Sequence, residues 1–203
     1  MKVGLVLECG PHGADQQVCE YLAKRLAPET ELSTATLGNK PNLLRECGTA
    51  VVSLLAEGCE RVVIVWDLYP AWRRGEDNPC RHEDKEAIRS SLLEAGIASP
   101  HVHLVCIQEE LEAWLLADER ALRAVLAKPT HPVRIRRTSQ PERISNPKKQ
   151  LGRLYQEHTG RRYVDLQDAI RIVQRIEDWQ RLRRCETFAR FALKVANVTL
   201  SGR

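Results

Sequence analysis

Glu8 and Asp67 each end an apolar run. Val3-Gly4-Leu5-Val6-Leu7 leads into Glu8, and Val62-Val63-Ile64-Val65-Trp66 leads into Asp67. Runs this rich in β-branched residues read as buried parallel strands, and the carboxyl ends of such strands are where α/β proteins place their ligands. If the two strands are neighbours, a pair of hard carboxylate oxygens at one sheet edge suits Mg²⁺ or Mn²⁺, which keep water ligands and accept phosphate oxygens. That is the setting for metal-assisted hydrolysis of a phosphodiester, in which Glu8 and Asp67 are the catalytic acids. The competing structural reading is that a strand-end acid caps the loop or helix that follows it.

A third group of acids, Glu109, Glu110 and Glu112, follows directly on the apolar run 102–107 and so starts at the same sheet edge. On a helix Glu109 and Glu112 share a face, whereas Glu110 and Glu112 lie on nearly opposite sides, so only one or two of the three can reach a common ion. Their other reading is that of acids favoured by a helix N-terminus. Gly10-Pro11-His12-Gly13 is a strand-to-helix turn able to offer free N–H groups to a phosphate, but it lacks the P-loop and dinucleotide signatures. His12 reads as a base or as an ordinary turn histidine. Trp72, Arg73 and Arg74 follow Asp67 closely enough to hold a nucleic-acid strand by stacking and phosphate contacts.

Charge divides the 203-residue chain. Residues 1–118 carry 11 Lys+Arg against 19 Asp+Glu, a net −8, and residues 119–203 carry 20 against 8, a net +12. Such asymmetry points to a polyanionic partner, here nucleic acid, DNA or RNA. Arg134, Arg136 and Arg137 lie in a proline-punctuated stretch, 128–146, that reads as an exposed basic loop. With Lys148 and Lys149 they are the residues expected to hold a phosphate backbone. The other reading is arginines on solvated helix faces.

The elements that must position these groups alternate in the first part. Strands are expected at 3–8, 31–37, 62–67 and 102–107, with helices at 14–26, 41–57 and 82–95, which predicts a parallel sheet with helices on both faces. Beyond Gln108 the pattern is helical only. An apolar stripe of Leu111, Trp114, Leu115, Leu122, Val125 and Leu126 predicts one helix over 110–127, Asn146 and Pro147 read as the cap and first residue of a helix to 158, and further helices are expected at 165–176 and 179–196. Two units result, an α/β domain over 1–118 and a basic helical extension over 119–203 packed on it. Seven scattered cysteines with no C-x-x-C pair read as free thiols, and Cys80 with His82 lacks the partners for zinc. No apolar stretch is long enough to span a bilayer, and Met1-Lys2 runs straight into a strand, so no membrane contact and a cytoplasmic location are expected.

Several of these segments resemble a known family. Leu7-Glu8-Cys9-Gly10, with Asp15 and Gln16 behind it, resembles the glutamate motif of Toprim domains, and Val65-Trp66-Asp67-Leu68-Tyr69 looks like their second motif. The segment from Ile107 through Glu110, Glu112 and Trp114 to Asp118 is similar to the marker of an uncharacterised bacterial Toprim-like family, a domain of unknown function related to OLD-type nucleases. Asn146-Pro147-Lys148-Lys149 and Trp179 fit its C-terminal pattern. The resemblance implies a Toprim-like sheet with Glu8, Asp67, Glu110 and Glu112 around Mg²⁺ or Mn²⁺, a nuclease role in mobile-element or phage defence, and a partner ATPase or other protein subunit. It also implies a departure: Tyr69 stands where the second motif has another aspartate. A non-catalytic Toprim-like subunit that binds nucleic acid or protein is therefore the second reading, and a small-molecule phosphotransfer enzyme the third.

Overall fold

A computed structural model of the chain describes residues 1–71, 79–128 and 132–200. Arg73 and Arg74, with Trp72, lie outside the described residues. The first part alternates as expected: β1 (Lys2–Leu7), α1 (Ala14–Leu26), β2 (Glu31–Thr36), α2 (Lys40–Ala56), β3 (Arg61–Asp67), α3 (Arg81–Glu94) and β4 (Val102–Ile107). The remainder is helical: α4 (Glu112–Leu115), α5 (Glu119–Leu126), α6 (Pro147–Thr159), α7 (Asp165–Val173) and α8 (Glu186–Ala196), with 3-10 turns at Pro141–Arg143 and Trp179–Arg184.

The four strands form one all-parallel sheet in the order β2-β1-β3-β4. Parallel strands are buried on both faces, and the two parities of each strand feed two cores. Leu5, Leu7, Val63, Val65 and Ile107 face α1 and the C-terminal helices, in a core that runs on through Trp114 and Tyr155 to Phe188. Val6, Val62, Ile64, Trp66 and Cys106 face α2 and α3. Those two helices approach so closely that a Cβ at Gly48 would stand 2.1 Å from the carbonyl oxygen of Ser91, and the Gly48 N–H donates to Ser91 Oγ at 3.0 Å. All seven cysteines are free. Among the described residues no helix is long and apolar enough to cross a membrane.

Two expected helices are broken, each by a carboxylate acting as a cap. The segment 110–127 divides at Asp118, which is extended (φ −114°, ψ 94°) and accepts the Arg120 and Ala121 N–H groups to start α5 afresh. The segment 179–196 divides at Cys185: Glu142, from the basic loop, accepts the N–H groups of Glu186 at 2.8 Å and Thr187 at 3.1 Å, and α8 begins there. Asn146 does not cap α6 through its side chain. It is left-handed (φ 55°), and the cap is the Glu110 carboxylate, which accepts the Lys148 N–H at 3.2 Å. Within the 128–146 segment, the described stretch 132–146 is less fully exposed than its composition suggests, because Val133 and Pro141 are buried while Arg134, Arg136 and Arg137 stay in solvent. The last of the helical part is held by Trp114, whose indole N–H donates to Thr187 Oγ1 at 2.8 Å and whose ring packs 5.4 Å from Phe188, edge to face.

Candidate functional site

The chain leaves β1 toward β2 on one side, and β3 then takes the place on the other side of β1. The connections after β1 and β3 therefore part at their carboxyl ends, the topological switch point at which α/β sheets open a crevice. Glu8 follows the last residue of β1 and Asp67 is the last residue of β3, on adjacent strands paired through Leu7 and Val65. Glu8 Oε2 accepts the Asp67 N–H at 3.3 Å. Two further carboxylates arrive from helix starts. Asp15 stands in the first turn of α1, and Glu112, only 6% exposed, opens α4.

These four acids share one electrostatic environment. Burial pushes Glu8 up to about 7 against the pull of the Lys40 ammonium, with Asp15 adding to the rise. Burial raises Asp15 to about 6 and Glu112 to about 7, in both cases opposed by Lys148. Asp67 is held well above the carboxylate range, by burial first and then by the charges of Asp15, Glu8 and Glu112. None of the four forms an ion pair among the described residues. Buried carboxylates are ordinarily paired with a cation, neutralised, or bound to a metal.

The second half of the chain closes the site. Lys148 of α6 lies near enough to moderate Asp15 and Glu112, with its Nζ 2.5 Å from Asp165 Oδ2. The Tyr163 hydroxyl donates to Glu112 Oε1 at 3.3 Å. On the opposite flank Lys40, 4% exposed, donates to the carbonyl oxygens of Leu68 (2.6 Å) and Pro70 (2.7 Å), and so ties down the backbone just past Asp67. Asp84 lies 3.8 Å from Lys40 and accepts the Trp66 indole N–H at 2.9 Å.

Of the residues singled out in the sequence, Glu8, Asp67 and Glu112 come together, and Glu110 stands at their rim with an oxygen engaged in capping α6. Glu109 lies outside the helix in left-handed backbone (φ 65°), and its carbonyl accepts the Tyr69 N–H at 3.0 Å. Tyr69 itself packs against the core on the α2 and α3 side, away from the face that carries Val65. His12 is exposed at its turn, where its N–H and carbonyl engage Gln16 and Gln17. Lys148 belongs to the acidic site, whereas Arg134, Arg136 and Arg137 line a separate cavity of about 550 Å³ with Gln150 and Leu154. Lys148 and Gln150 project roughly 200° apart around the axis of α6, so the loop arginines and the carboxylates lie on different sides of that helix. Asp15, Lys40, Tyr163 and Asp165 were not singled out as site residues. Only Asp15 carried a signal, its place in the first turn of the helix behind Glu8.

Whether a divalent cation fits can be judged from the donors. Among the described residues no three His, Cys, Asp or Glu groups stand close enough to form a preformed metal cage. Mg²⁺, however, keeps several waters and takes only one or two carboxylates directly, and the Glu8 and Asp67 pair, half-buried and without an ion pair among the described residues, suits that mode.

The chain matches the family model described as Domain of unknown function (DUF4276) over residues 12–196, and it belongs to that family. The match carries no Toprim or OLD-type relationship. No curated protein and no solved structure matches the chain.

Proposed function

We propose that this DUF4276 protein is a divalent-metal-dependent phosphodiesterase acting on nucleic acid. The observation that carries the reading is the gathering of Glu8, Asp15, Asp67 and Glu112 at the switch point of a parallel sheet with no ion pair among the described residues to neutralise them. Glu8 and Asp67 would hold Mg²⁺ or Mn²⁺, with Glu112 and Glu110 reaching it through water. When bound, the ion would activate water and neutralise charge on the phosphate. Glu112, raised to about 7 and not a direct ligand, is poised to take or give a proton near neutral pH. Lys148 supplies a positive charge beside them, and Lys40 fixes the backbone that carries Asp67.

Mn²⁺ titration by calorimetry, together with cleavage of single- and double-stranded DNA and of RNA, tests this. The expected result is one Mn²⁺ site and metal-dependent cleavage, both lost in Asp67→Asn. Absence of Mn²⁺ binding in the intact protein would overturn it. A second reading, a non-catalytic subunit that binds nucleic acid or protein, is favoured by one observation: Tyr69 is packed on the opposite core, so β3 contributes a single acid. Metal binding without cleavage of any of the three substrates would select it.

A further inference from the structure

Beside the carboxylates lies a second feature that the metal reading does not use. A cleft of about 450 Å³ opens between α6 and the segment joining it to α7, and its wall includes Lys148, Lys149, Gly152, Arg162 and Tyr163. That volume is within the range of ligand pockets. Lys149 and Arg162 are exposed and form no ion pair or side-chain hydrogen bond among the described residues, unlike Arg161, which is clamped to Asp168 at 2.6 and 2.7 Å. The one acid on the wall, Glu110, has an oxygen on the Lys148 N–H. Gly152 is the telling residue. It sits inside α6, where glycine is less favourable than alanine, and a Cβ there would meet nothing within 4 Å. Packing does not call for a glycine, and a side chain at this position would occupy part of the cleft that Gly152 lines. The cleft also adjoins the acidic site, because Tyr163 and Lys148 line the one and touch or moderate the other.

We propose that this cleft is a phosphate subsite for a nucleic-acid strand, in which Lys149 and Arg162 bind a phosphate beside the carboxylate cluster and Gly152 leaves the room for it. The inference deepens the proposed function by taking its substrate class, but it does not depend on the metal. Phosphate recognition by two exposed cations needs no specific base, so binding is sequence-tolerant and falls with salt.

The test is fluorescence anisotropy with a labelled 5′-phosphorylated single-stranded oligonucleotide in EDTA, where the metal site is silent. The intact protein should bind at low salt. Gly152→Leu should have a thermal midpoint at or above that of the parent, since nothing obstructs the new side chain and a helix interior favours leucine over glycine, and should bind at least tenfold more weakly. Lys149→Ala with Arg162→Ala should lower the salt slope by about 0.7, the contribution of the one phosphate they share on a single strand. Competition by a nucleoside 5′-monophosphate would identify a terminal phosphate as the ligand, and competition only by an oligonucleotide lacking that phosphate would identify a backbone diester. Unaltered binding by Gly152→Leu and by the double variant overturns the subsite, as does failure of the intact protein to bind in EDTA. Loss of Mn²⁺ binding with this binding intact would instead remove the metal reading alone.

Discussion

Replacing Glu112 by glutamine should make the protein more stable at alkaline pH and leave it nearly unchanged in acid. Glu112 is 6% exposed, and burial raises its carboxyl from the ordinary 4.5 to about 7. An acid whose folded-state pKa lies above its unfolded value is destabilising once ionised. Its penalty is absent below pH 4.5, grows as pH rises from 4.5 to 7, and is constant above that. At 1.36 kcal/mol per pKa unit, the penalty reaches about 3 kcal/mol. Glutamine carries no charge, yet its Oε1 can still accept the Tyr163 hydroxyl that Glu112 Oε1 accepts at 3.3 Å, so the packing and the hydrogen bond survive. Urea unfolding in EDTA at a series of pH values measures the effect. Glu112→Gln and the parent should unfold within about 1 kcal/mol of each other at pH 4.5 and differ by up to about 3 kcal/mol at pH 8. Mn²⁺ added at 100 times its dissociation constant should restore about 2.7 kcal/mol to the parent. A gap between the two proteins that is the same at pH 4.5 and pH 8 would refute the reading of Glu112 as a buried carboxylate without an ion pair among the described residues.

Three further outcomes follow from the same geometry. Tyr69→Asp would rebuild the two-aspartate motif in sequence only: because Tyr69 packs on the α2 and α3 core, the change should cost about 1–3 kcal/mol in urea unfolding and leave the Mn²⁺ isotherm unaltered. Replacing Arg134, Arg136 and Arg137 together by alanine should change stability by no more than about 0.5 kcal/mol, since all three are exposed, while lowering the salt slope of duplex DNA binding by up to about 3; an unchanged slope would remove that loop from the interface. Gly48→Ala should destabilise by about 1–3 kcal/mol or more, because its Cβ would collide with the Ser91 carbonyl, and an unshifted denaturation midpoint would contradict the close contact of α2 and α3.

What could be read from the chain was whatever depended on neighbours in sequence. The apolar runs before Glu8 and Asp67 marked two strands and their parallel pairing, since burial on both faces removes alternation. Glu112 was legible because it follows β4 by only a few residues. The interruptions at Asp118 and Cys185 were hidden for different reasons. Asp118 advertised itself only as a polar residue within an apolar stripe, whereas α8 starts where it does because Glu142, 44 residues earlier, reaches its first N–H groups. The partners of the acids were hidden for the same physical reason: Lys148, Tyr163 and Asp165 meet Asp15 and Glu112 only after the helical part has folded across the α1 face of the sheet.

The folding back also changes what the charge asymmetry means. A net +12 over residues 119–203 suggests a uniform basic surface, but several of its arginines are committed internally. Arg161 is clamped to Asp168, and Arg181 and Arg184 both pair with Glu119. Of the cations in that part that form no ion pair among the described residues, Lys149 and Arg162 lie beside α6 on the side of the carboxylates, and Arg134, Arg136 and Arg137 lie on the other side of that helix. These two basic clusters therefore lie on different sides of a helix about 20 Å long. A strand that engaged both would have to pass over α6, so the loop arginines would govern capture and its salt dependence, while Lys149 and Arg162 would govern where along the strand the carboxylates act.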